Sequence, residues 1–382
     1  MKGPTRRFGL ARRLHSSLIV LALMVGVHQG MAQVPVVSSF SQNGMLVCTD
    51  LQAGAVATVQ WAPTLSGPWQ TDWASLSAVT VGTSGTITVS VPMFYRVCQG
   101  PSNITTSDGM ALIPAGSFTM GDTLDGEGDA LPTNIYVSAF YMDTNLMNGA
   151  GLWAIIHGLI LVGDLDYSFS FSSPTFKNQG PWVTMNWYDC VKLCNARSQV
   201  MSLTPVYYTD AGLTQVYTSG QLTPYVNWTA NGYRLPTEAE WEKAARGRLI
   251  GQRFPWGNTI SESQANYCST NTYGYDSGPS GYNTNFMTGG VPYTSPVGYF
   301  APNEYSLSDM AGNVMEWCWD WYGTPYGQST TNDPTGPTSG SNRVLRGGSW
   351  NSDASSARCA ARNHSNPSNA CNYVGFRCVR GF

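Results

Sequence analysis

Apolar and polar positions divide the chain into stretches of different period. The first apolar run, Leu18 to Val27, follows Lys2, Arg6, Arg7, Arg12 and Arg13 and precedes the small residues around Gly30 and Ala32. It is too short to span a bilayer, and its charged–apolar–small order is that of a secretory signal peptide over residues 1–32. Arg6-Arg7-Phe8 leaves a twin-arginine signal open beside the general secretory type. No later stretch reaches the roughly 18 apolar residues of a spanning helix, so no membrane span is expected in the mature chain.

From 35 to 100 the pattern changes to short β-branched and aromatic runs, "NGMLVCTDL", "ATVQWAP" and "TITVSVPMFYRVC", separated by Gly, Pro and Ser. That alternation predicts a small antiparallel β-domain. Cys48 and Cys98 fall near its first and last strands, where a disulfide would close the unit. The polar, turn-rich "QGPSNITTSDG" places a linker at 101–109 and starts a second domain at 110, running to 382.

Within that second domain two stretches carry helical signals. In "RLPTEAEWEKAA", Thr237 caps a helix and Glu240, three residues on, reaches back to complete a capping box, with Trp241 as anchor. In "WYDCVKLCNARS", Cys190 and Cys194 stand four apart and therefore share one helical face, which reads as core or disulfide. "LWAIIHGLILVG" is apolar throughout, and His157 within it is expected to pack in the core. Trp317, Trp319 and Trp321, with Cys318, read first as core packing, although alternating aromatics also stack on sugars.

Composition narrows the function classes. Removing the five basic residues of the signal from 20 leaves 15 against 23 acidic side chains, or −8, with no basic cluster. Nucleic-acid binding depends on neutralising phosphates, so it is excluded as a partner class. Gly (41), Tyr (20) and Trp (13) suit a loop-rich exported protein in which aromatics supply the burial. Four histidines, two of them in the signal, are too few for a three-histidine metal centre within one chain. His364, in the polar "RNHSNPSN", reads as a solvated loop residue.

A series of phrases then follows in fixed order. They are "MALIPAGSFTMGD", "FYMDTNLM", "VTMNWYDCVKLCNARS", "YRLPTEAEWEKAARG", "FPWGN", "YSLSDMAGNVMEWCWDWYG", "RVLRGGSW" and "NYVGFRCVR". Together they resemble the formylglycine-generating enzyme, or sulfatase-modifying factor, family, whose oxidases convert a sulfatase cysteine to formylglycine. The resemblance implies an α+β, C-type-lectin-like domain with little regular structure, here preceded by the small antiparallel β-domain. The coarse expectation is two helices, short antiparallel strands and long ordered loops.

It also implies sites. The family's calcium ligands match Asp309, the carbonyls of Gly312 and Val314, and the Glu316 carboxylate, hard oxygens of the kind Ca²⁺ takes. A weaker second calcium site matches Asn266 and the Tyr267 carbonyl. Its carboxylate position aligns with Gly289, leaving Asp276 or Asn283 as possible replacements. The family's copper chemistry uses two thiolates, which are soft ligands for Cu(I). Here the first matches Ser352, the second falls near Ala357, and the loop between is shortened. Ser349 matches a polar active-site serine. Cys359 and Cys371 are the candidate replacement thiols, and they could instead bridge one another. A Cys194–Cys378 disulfide is implied, whereas the family partner of Cys359 matches Ala245.

These readings favour an exported, calcium-braced binding or assembly module without oxidase chemistry, its partner a protein or a glycan. A formylglycine-generating oxidase using copper is the alternative, and lectin-like carbohydrate binding is a second one.

Overall fold

The computed structural model describes residues 109–381 apart from 127, 164–165, 172–178, 289, 325 and 327–330, together with strand backbones between Val36 and Gln99 and a turn at 83–84. The expected signal peptide and most of the expected linker lie outside the described residues. The chain divides into two compact units, Met1–Ser102 and Asn103–Phe382.

The first unit contains two three-stranded antiparallel sheets. Met45–Thr49 lies between Val36–Phe40 and Ile87–Ser90, and Val56–Trp61 lies between Val79–Thr80 and Tyr95–Gln99. Cys48 and Cys98 belong to different sheets. Their side chains, and so the expected bridge, lie outside the described residues.

The second unit mixes short strands with three described helices. One four-stranded antiparallel sheet runs in the order Tyr233–Arg234, Val379–Arg380, Phe140–Asp143 and Met110–Ile113. Another runs Arg362–Ser365, Arg343–Arg346, Met315–Trp321 and Val374–Gly375, the last pair parallel. Helix α2 (Trp187–Val200) starts where the Asn186 side chain accepts the Asp189 amide. Helix α3 (Glu238–Ala245) carries the expected capping box of Thr237 and Glu240.

Helix α1 (Gly149–Val162) corrects the expectation of two helices. Asn148 caps it, and Gly163 ends it in a left-handed conformation at φ 75°. Leu152, Ile155 and Leu159 face inward with the spacing of one helical stripe. His157 lies off that stripe, so it is exposed and stacks on Trp153 at 3.6 Å rather than packing in the core. An apolar run fixes that a helix is buried somewhere, but the depth of each face depends on neighbours distant in sequence.

The long strand Met315–Trp321 separates two cores. On one face Trp317 and Trp319 pack against Trp187, Cys190 and Cys194 of α2. On the other Cys318 packs with Trp241, Ala244 and Ala245 of α3 and with Cys359. Trp317 and Trp319 are thus core residues, each buried aromatic contributing on the order of 2 kcal/mol or more by burial. Trp321 is half-buried against the Arg343 guanidinium, 3.5 Å from its ring centre. His364 sits exposed in the strand Arg362–Ser365 rather than in a loop, over the Tyr322 ring.

Candidate functional site

The turn after Arg343–Arg346 is built from buried charge. Arg346 is fully buried and donates to Glu242 and to the Ala361 carbonyl, with Glu238 3.5 Å from its Nε. Arg362 holds both oxygens of Glu238 at 2.7 and 2.9 Å, and Arg246 pairs with Glu242 at 2.6 Å. Two α3 glutamates therefore clamp both ends of the segment that carries Ser349 and Ser352. Gly347 and Gly348 then turn the chain at φ 93° and 67°. A Cβ on Gly347 would come within 3.0 Å of the Trp241 ring, so side chains are excluded there by space as well as by conformation.

Ser349 is buried, and its hydroxyl lies 2.6 Å from Asn351 Oδ1 and 2.8 Å from the Ser352 hydroxyl. Trp350 is buried beside Tyr282 and Tyr293, at ring distances of 5.7 and 5.3 Å. Asp353 accepts from Ser355 and from the Tyr273 hydroxyl. Ala357 is fully buried with Phe254, Tyr267 and Ala354. The result is a shallow polar turn, Asn351 exposed at its tip, edged by tyrosines.

One thiol not singled out in the sequence lies next to it. Cys268 is half-buried, and its amide donates to the Ser352 carbonyl at 2.9 Å. Burial, then Asp353, Asp276 and Glu262, raise its pKa above the usual thiol value. Reactive cysteines need the opposite surroundings, since the thiolate is the nucleophile and metal ligand.

Residues 98–382 match the sulfatase-modifying factor enzyme 1-like domain. The chain belongs to that family. It is 32% identical over 302 residues to the formylglycine-generating enzyme of Streptomyces coelicolor, covering 71% of this chain and 88% of that one. It is also 32% identical over 281 residues to the serine/threonine-protein kinase pkn1 of Chlamydia pneumoniae, covering 71% of this chain but 38% of the kinase. Among solved structures, Treponema denticola variable protein 1 superposes with a TM-score of 0.53 at 28% identity, covering 71% of this chain and 94% of that one.

The sulfatase-modifying-factor chemistry of copper does not fit the residues present. Serine at 352 offers a hydroxyl, and position 357 offers a methyl group inside the core. The sulfurs of Cys359 and Cys371 are both unbonded. Cys359 is buried in the core beside α3, its thiol pushed up to about 12 by burial, whereas Cys371 packs at the edge of the other core. The Cys194 and Cys378 sulfurs face one another at 3.8 Å, unbonded, and both are wholly buried. They line no open groove.

The residues implied for calcium, Asp309, Gly312, Val314 and Glu316, are all buried in one stretch of chain. Asp309 has a left-handed φ of 59°, and its carboxyl accepts the Gly298 amide at 2.8 Å. Burial is the main cause raising its pKa, and nearby Glu316 adds to it. Each Glu316 oxygen accepts one hydrogen bond from Arg377, at 2.7 and 2.8 Å, which leaves lone pairs on both. Arg377 also donates to the carbonyls of Asp143, Thr144 and Ser308. Two carboxylates, the Gly312 turn and surrounding carbonyls are compatible with a hard cation.

The second calcium set fares worse. Asp276, a candidate for the missing carboxylate, has oxygens that accept from Tyr267, Ser269, Thr270 and Gly278. Asn283 is committed to Glu262 and Asn285, and the Asn266 amide donates to the Tyr293 carbonyl. Gly289 lies outside the described residues. Among the described residues no helix is long and apolar enough to cross a membrane.

Proposed function

We propose that this chain is an exported binding or assembly module of the sulfatase-modifying-factor family, without oxidase chemistry and braced by calcium at Asp309, Gly312, Val314 and Glu316. The carrying observation is the Ser352 hydroxyl, bonded to Ser349 at a position where the oxidase needs a thiolate. Ala357, buried in the core, removes the second thiol in the same turn. The tyrosine-edged turn around Asn351 is the face offered to a partner, a protein or a glycan. Names such as kinase and variable protein among its relatives support the use of this fold outside sulfatase modification.

The identity with formylglycine-generating enzymes favours the oxidase as the second reading. Incubation with Cu(I), oxygen, reductant and a Cys-x-Pro-x-Arg peptide separates the two. The peptide is expected to keep its cysteine by mass spectrometry, and formylglycine in it refutes the binding-module reading. For the brace, EGTA is expected to lower the melting temperature and added Ca²⁺ to restore it. A melting curve indifferent to both removes calcium from the proposal.

A further inference from the structure

A cleft of about 360 Å³ lies between α1 and the C-terminal turn of α2, away from the Ser349–Asp353 turn. Ala154 and Ile155 of α1, Val200 and Met201 at the end of α2, and Val297 give it apolar walls. Its volume is within the range of small-molecule sites, roughly 300 to 1,000 Å³.

An ion pair completes it, since Arg197 and Asp143 both line the cleft. Arg197 lines the cleft, with its side chain only 14% exposed. Its Nη1 contacts both oxygens of Asp143, at 2.9 and 2.7 Å, while its face rests on Tyr233 at 4.0 Å. Neither Nε nor Nη2 makes a hydrogen bond within the described residues, so the three N–H groups on those two nitrogens are open to a ligand. Asp143 is itself well occupied, accepting from Nη1 on both oxygens and from the Cys378 amide on Oδ2. The N-terminus of α1 enters the same polar end at Asn148 and Gly151, and its first turn carries no acidic side chain. Both features offer N–H donors to an anionic head there, beside the paired Asp143 carboxylate.

We propose that this cleft binds a small aliphatic carboxylate, its chain along Ile155, Val200 and Met201 and its head on the free edge of Arg197. The site is independent of the reading given to the Ser349–Asp353 turn.

Titration calorimetry with sodium octanoate tests it, with octanol as the uncharged control. Octanoate is expected to bind and octanol to bind at least about tenfold more weakly, the worth of a charge-assisted hydrogen bond. Ala154→Trp fills the cleft from an exposed helical position and is expected to abolish octanoate binding while the melting temperature holds. Arg197→Lys keeps the charge beside Asp143 but loses the planar edge, and is expected to weaken octanoate and leave octanol unchanged. No heat with octanoate, equal affinity for octanol, or undiminished binding by a folded Ala154→Trp variant overturns the proposal.

Discussion

The two sides of the segment 346–362 differ in how they have been kept. Toward α3, Arg346 and Arg362 are fixed by Glu238 and Glu242, and every partner of that set is buried. On its other side, the same segment carries Ser352 and, buried beneath it, Ala357 where the resemblance places the two sulfurs of the family's oxidases. A buried charge cannot lose its partner cheaply, whereas a thiol at a turn can become a hydroxyl without disturbing the packing beneath it. The difference teaches that architecture and chemistry in this fold rest on separate side chains, so one outlasts the other.

The comparison breaks first if the clamp is removed. Arg346→Ala leaves Glu242 to Arg246 and the Gly121 amide and Glu238 to Arg362, but removes a fully buried guanidinium and its bonds to Glu242 and the Ala361 carbonyl, at an expected cost of about 3 kcal/mol in urea unfolding. A loss near that of a surface change would mean that the turn holds itself. Next in size is a pH effect at the edge of the clamp. Asp320 is fully buried, and its carboxyl is pushed up to about 8 by desolvation first and by Glu238 second. The folded state therefore holds that proton through a range where the unfolded chain, near 4, has lost it. Stability is expected to fall as pH rises from about 4 to 8, and Asp320→Asn to flatten that slope. Urea midpoints at pH 5 and pH 8 for both proteins measure it; equal slopes remove Asp320 as the cause.

On the other side the effects shrink. Ser352→Ala takes one of two partners from Ser349, which keeps Asn351, so about 0.5–1.5 kcal/mol is expected in the same unfolding assay. Smallest of all is Ser352→Cys. With position 357 buried and Cys268 kept toward the thiol by burial first and its acidic neighbours second, one restored sulfur is expected to create no tight Cu(I) site in competition with a chelator. Stoichiometric Cu(I) uptake by that variant would show the oxidase centre to be one residue away.

Local chemistry was legible in the sequence where it involved neighbours along the chain. The Thr237–Glu240 box lies within four residues, and the shared face of Cys190 and Cys194 follows from helical spacing alone. The phrases in family order carried the fold. Contacts between distant positions were not legible. Nothing in "RGGSW" announces that Glu238 and Glu242 hold it, nor does "QANYC" show that Cys268 meets Ser352. The placement of Cys359 and Cys371 was hidden for the same reason: twelve residues of separation says nothing about which of two cores each thiol enters.

The strand Val379–Arg380 sits between Tyr233–Arg234 and Phe140–Asp143, yet it leaves the ribosome after both of them. Until it arrives, two bare backbone edges wait in the nascent polypeptide, each a template for unwanted pairing. Completion of this sheet therefore waits for Val379–Arg380, and a chain shortened before residue 379 lacks a central stave, not a dispensable tail.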